Sequence, residues 1–128
     1  MASGSFGGMG YSGGSMSYGQ AMAEIGQIRM KFDGVINVAQ QMKAKAAELL
    51  NAGENLRKAK DRVCGSEWIG ADAEAFSNKV NGLVGDAGRP GSVLYHAEAL
   101  KRAGEALEKA AMETRTKQTE QVRRMANI

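Results

Sequence analysis

The sequence predicts an all-α protein: a two-helix antiparallel hairpin, its second helix interrupted, packing as a four-helix bundle dimer. Three observations carry that expectation. Aromatic residues make up 5% of the chain and there is a single proline, so a compact β-fold is disfavoured. Ala, Lys, Glu, Met and Leu dominate after the first 20 residues, which is the composition of long helices. Apolar residues also recur at helical spacing on both sides of a short stretch bracketed by Gly65 and Gly70, where the chain can reverse. A chain of 128 residues allows one domain at most. Two helices bury little surface per residue, so dimerisation or docking on a partner is the physical expectation.

Residues 1–20 contain seven glycines and five serines. Such a segment buries too little apolar surface to offset its chain entropy, so it reads as a flexible tail ahead of a hairpin spanning residues 21–127. Its few Tyr, Phe and Met residues fit a linker better than a contact motif. It has neither a basic n-region nor an apolar h-region, so it does not read as a signal peptide. No window approaches 18 apolar residues, so no membrane span is expected.

From Gln20 to Val63 the pattern is long and regular. Ile25, Phe32, Ala39, Ala46, Gly53 and Lys60 lie seven apart, as do Ile28, Val35, Met42, Leu49, Leu56 and Val63. Together they form an a/d stripe, which predicts left-handed supercoiling against another helix. The first row is small at mid-length and the second is large, an arrangement that lets helices approach closely. Leu49 and Leu56 are expected in the core of the dimer.

The bend holds Ser66-Glu67-Trp68-Ile69-Gly70 and the only tryptophan of the chain. A tryptophan there either plugs the end of the two-helix interface or projects into a partner. Cys64 is the sole cysteine and His96 the sole histidine, far along the next helical stretch. No intrachain disulfide can form, and Cys64 reads as an inert thiol rather than an intermolecular disulfide partner, a metal ligand or a nucleophile.

The second helix opens around Asp72, with Ala73, Phe76, Val80 and Leu83 on one face. Gly85 to Ser92 interrupts it: three glycines and Pro90 remove hydrogen bonds and push Arg89 out of the helical region. Ser92 is a candidate N-cap for the last helix, which runs to about Ala126. Val93, Ala97, Leu100, Gly104, Leu107 and Ala111 continue an apolar stripe, and polar residues follow at the same spacing. The turns from Thr114 to Arg124 are therefore expected to outrun the partner helix or fray. Arg115, Lys117, Arg123 and Arg124 suit the negative end of the helix dipole. They read as a solvated end, with docking of an acidic partner as the rival.

After Trp68-Ile69-Gly70 come Ala71-Asp72-Ala73-Glu74-Ala75-Phe76, giving W-x-G-x-x-x-x-A-F. This resembles the W-x-G family, small helical-hairpin proteins of the early secretory antigenic target type handled by bacterial type VII secretion. The resemblance spans roughly Ala21 to Asn127. It implies a non-enzymatic secretion substrate or partner protein that dimerises through its helices and presents Trp68 and Gly70 to the secretion machinery. The helix interface read from the spacing comprises Ile25, Ile28, Phe32, Val35, Met42, Leu49, Leu56 and Val63, joined by Phe76, Leu83, Leu100 and Leu107. The partner would be a second copy, another small helical hairpin or the helical domain of an effector. The protein would be cytoplasmic before export and secreted or cell-surface afterwards.

Two features depart from that pattern. The family usually runs as one helix where Gly85 to Ser92 stand. A Tyr-x-x-x-Asp/Glu export signal is also absent, since none of Tyr11, Tyr18 and Tyr95 has an acidic residue four positions on. The chain then supplies the W-x-G half of a signal. The alternatives are a cytoplasmic targeting adaptor or chaperone escorting a larger effector, or a plain structural coiled coil.

Other classes fit less well. Catalysis needs convergent nucleophile and acid/base groups in a cleft, and no such set, cofactor motif or metal-ligand spacing occurs. The net charge of +3 is mild, and Glu48, Glu54, Glu74, Glu105, Glu108 and Glu113 are interspersed among the basic residues. A nucleic-acid binder would show Lys and Arg on one face with stacking aromatics.

Overall fold

The computed structural model describes residues 16–128. Among these, three α-helices account for most of the backbone: α1 Tyr18–Val63, α2 Ala71–Val84 and α3 Val93–Ala126. The all-helical expectation holds, and the described residues include no strand beyond one isolated bridge at the bend. No described helix is long and apolar enough to cross a membrane. The described residues divide into two compact units, one of 16–36 with 109–128 and the other of 37–108.

The flexible tail expected over residues 1–20 falls mostly outside the described residues, but its end does not. Tyr18 to Gln20 already form the first turn of α1. Ser17 explains why. Its hydroxyl accepts from the Gln20 amide at 3.1 Å, and the Gln20 side-chain oxygen accepts from the Ser17 amide at 3.1 Å. This reciprocal S-x-x-Q capping box satisfies two donors that a helix start leaves free.

In the first unit the start of α1 packs antiparallel to the end of α3. Met16, Ala21, Ile25, Ile28 and Val122 form a buried cluster flanked by Phe32, Met125 and Ala126. Met16 precedes the cap and Ala21 lies one turn beyond it, so their joint burial is a hydrophobic staple. The Met16 amide donates to the Met125 carbonyl at 3.2 Å. Arg115 reaches Asp33 at 2.9 Å. The expected fraying of Thr114 to Arg124 is thereby overturned, because Val122 is wholly buried. Ile36 and Val122, each eleven residues beyond another buried position, Ile25 and Ala111, add to the sevenfold positions Ile25, Ile28, Phe32 and Met125 that pack in the same unit.

In the second unit the heptad holds. Ala39, Ala46, Gly53 and Lys60 are buried along α1, and Ala97 and Gly104 along α3. These small residues bring the backbones together. A β-carbon added at Gly104 would lie 3.0 Å from the Ala39 carbonyl oxygen, and one at Gly53 would lie 3.2 Å from both Val93 and Leu94. Lys43 meets Glu108 across the pair at 2.6 Å.

The break between α2 and α3 is an ordered turn. Arg57 donates to the Gly85 carbonyl at 2.8 Å. Ser92 is buried; its hydroxyl donates within reach of the Asp86 and Arg89 carbonyls and accepts from the Tyr95 amide at 3.2 Å. It therefore caps α3 as its position suggests.

Candidate functional site

The W-x-G stretch forms the connection between α1 and α2. Val63 ends α1, and the Trp68 amide donates back to its carbonyl at 3.0 Å, while the Gly65 amide donates to the Trp68 carbonyl at 2.8 Å. Ser66 donates its hydroxyl to the Arg62 carbonyl at 3.0 Å. The loop is thus closed by its own hydrogen bonds. Gly65 and Gly70 have φ of 94° and 114°, a region L side chains rarely adopt, so the bend requires glycine at both ends. Gly70 also accepts from the Glu74 amide at 3.0 Å, which starts α2.

That closure holds the two apolar side chains of the bend outside the helix pair. Trp68 is 39% exposed and Ile69 is 74% exposed. The Trp68 ring rests on Phe76, with centroids 5.6 Å apart and the planes tilted by 45°. This contact explains the A-F that follows W-x-G at helical spacing: Phe76 is the shelf on which the tryptophan lies. A shallow cleft of about 280 Å³ opens beside it, bounded by Cys64, Trp68, Gly70 and Ala73. Cys64 is partly exposed and unpaired. Among the described residues no group of three or more His, Cys, Asp and Glu side chains could hold a metal ion.

The twelve residues expected at a helix interface separate into three sets. Ile25 and Ile28 are buried inside the first unit. Phe32, Val35, Met42, Leu49, Leu100 and Leu107 are half-buried. Leu56, Val63, Phe76 and Leu83 are exposed, Leu83 to 60%. Small residues occupy the inner seam of the second unit, so the large ones are left on its outside.

On α1, Met42, Leu49, Leu56 and Val63 share one flank of the seam by their sevenfold spacing. The other flank carries Leu50, which heptad counting overlooked. Leu50 is half-exposed and floors an apolar groove of about 370 Å³ with Ala46, Leu94 and Ala97, edged by Lys43, Glu98, Lys101 and Glu105. Met16, Ile36, Val84 and Val122 are buried positions that the sequence reading also missed. The S-x-x-Q at Ser17 was the available signal for the first of these. Comparison of the chain with protein-family models, with curated proteins and with solved structures finds no match.

Proposed function

We propose that the protein is a non-enzymatic pairing module of the W-x-G type. In this reading it serves type VII secretion as substrate or partner, associates through its helices into a four-helix bundle, and offers the Trp68–Gly70 bend to the machinery. One observation carries the association. Eight large apolar side chains of the second unit, Val38, Leu50, Leu56, Val63, Trp68, Ile69, Phe76 and Leu83, are all substantially exposed, while its buried apolar positions are alanines, glycines and two valines, Val80 and Val84. Leaving such a concentration of large apolar groups in water is unfavourable, and burial against a partner relieves it. What supports the secretion assignment is the W-x-G-x-x-x-x-A-F motif placed at a helix–helix bend with its aromatic outward. Escort of a larger effector as a targeting adaptor would use the same two surfaces.

Light scattering of the purified full chain at micromolar concentration tests the pairing. The expected result is a dimer that Leu56→Glu with Leu83→Glu converts to a folded monomer. A stable wild-type monomer with unchanged thermal behaviour in the double variant would sink it. Co-expression with helical proteins encoded beside it, with export followed in the presence and absence of the secretion ATPase, tests the assignment to that pathway.

A further inference from the structure

The positive charge of the chain is not evenly placed. The first unit carries seven Lys and Arg against four Asp and Glu, and the second carries ten of each, so the first unit holds the whole net charge of +3. Within it lies a cleft of about 360 Å³ bounded by Arg29 of α1 and by Arg115, Thr116, Thr119, Glu120 and Arg123 of α3, with Ile25 as its apolar floor. The α3 residues share a face because Arg115, Thr119 and Arg123 follow one another at four-residue steps.

The carboxylates nearby leave much of this charge uncompensated. Asp33 takes Arg115 at 2.9 Å and orients it. Glu120 is drawn along its own helix to Arg124 at 3.5 Å. Among the described residues, neither Arg29 nor Arg123 forms a salt bridge with a carboxylate. With their ion-pair partners counted, four guanidiniums (Arg29, Arg115, Arg123 and Arg124) against two carboxylates (Asp33 and Glu120) leave the site a formal charge of +2.

We propose that this cleft binds a phosphate monoester group, carried either by a small soluble molecule or by a lipid headgroup. A monoester bears roughly −1.5 to −2 at neutral pH and offers three strong acceptor oxygens, which matches the charge of the lining. Guanidinium forks fit such a group bidentately, and charge-assisted bonds of this kind are the stronger ones. The Thr116 and Thr119 hydroxyls add neutral donors. A lone carboxylate would neutralise only half of the charge and meet fewer of the donors. This site lies within the first unit and does not depend on the pairing reading.

The test titrates the full chain with glycerol 3-phosphate and with inorganic phosphate, against sodium chloride at matched ionic strength. Arginine Nε–H signals report the response in NMR spectra. Parallel sedimentation uses phosphatidylcholine vesicles with and without phosphatidic acid. The expected result is a saturable shift of the Arg29, Arg115 and Arg123 signals that chloride does not reproduce. Arg29→Gln with Arg123→Gln should weaken binding by on the order of tenfold or more, while Arg102→Gln, in the second unit, leaves it unchanged. Thermal melts establish that all variants fold. Binding of the soluble ester alone assigns a soluble ligand, and additional sedimentation with phosphatidic acid assigns a headgroup. A response equal to that of chloride, or undiminished binding in the double variant, overturns the site. Displacement of the ester by a lower concentration of a hexaglutamate peptide overturns it in favour of an acidic protein segment.

Discussion

Gly104 of α3 lies against the main chain of α1 so closely that a β-carbon there would stand 3.0 Å from the Ala39 carbonyl oxygen and 2.9 Å from Cγ of Lys43. The helices of the second unit meet backbone to backbone, and Gly104 is the point of nearest approach among its helical glycines. Gly34 of α1 is its opposite, with open space where a β-carbon would go.

The two glycines should therefore respond in opposite directions. Gly34→Ala removes the helix penalty of glycine without a clash and should stabilise by about 0.5–1 kcal/mol. Gly104→Val forces the helices apart and should destabilise by about 1–3 kcal/mol. Chemical denaturation of both variants, read by far-ultraviolet circular dichroism, checks the contrast. Equal and small effects would mean that the seam is loose.

A second prediction concerns the end of α3. Val122 is fully buried among Ile25, Ile28 and Met16, whereas its neighbour Gln121 is exposed. Val122→Ala should cost about 1–3 kcal/mol, and Gln121→Ala should stay within about 0.5 kcal/mol. Amide exchange in the last three turns of α3 should accelerate in the first variant only. Fast exchange there in the unaltered protein would restore the frayed end.

The Lys43–Glu108 pair predicts a response to acid. A hydrogen bond from Lys43 at 2.6 Å, helped by one from Gln40 at 3.4 Å, holds the Glu108 carboxyl below the usual glutamate range. A group with a lowered folded-state pKa adds stability that is complete above its unfolded pKa and is lost as pH falls through the folded value. Glu108→Gln should therefore lower the thermal midpoint at neutral pH, and the gap should close as the pH drops below the usual glutamate range. A gap that persists unchanged into strong acid would show that the substituted amide disturbs packing instead.

The small row Ala39, Ala46 and Gly53 could be read as a seam because a heptad places it on one face, and the second unit obeys that heptad. Gly85 to Ser92 could be read as a break because proline and glycine act locally. Val122 and Ile36 escaped because they lie one residue off the sevenfold rows, next to Gln121 and Val35, although Phe32 and Met125 on those rows pack against the same cluster. Ser17 escaped because a tail rich in glycine and serine disguises a serine that caps. At the bend, W-x-G announced where the chain turns. Only the hydrogen bonds closing the loop on Val63 decide that Trp68 lies outside on Phe76 rather than inside.

That position leads to the last prediction. A fully buried tryptophan costs about 3–5 kcal/mol when cut to alanine. Trp68 is 39% exposed and has Phe76 as its aromatic neighbour, a contact worth about 0.5–1.5 kcal/mol beyond its area. Trp68→Ala should therefore lower stability by about 1–2 kcal/mol, and Phe76→Leu, which removes the shelf but keeps a large apolar group, by less. If the bend has the recognition role proposed above, binding to a partner should suffer far more, because aromatic anchors that enter a partner's pocket carry ΔΔG of about 2 kcal/mol or more. Thermal midpoints and co-purification of each variant with the partner separate the two roles. If Trp68→Ala unfolds the protein at moderate temperature, the ring is a plug. If it folds well and co-purification and export are unchanged, the bend is not a recognition element, and the exposed flanks of the second unit would carry the partner alone.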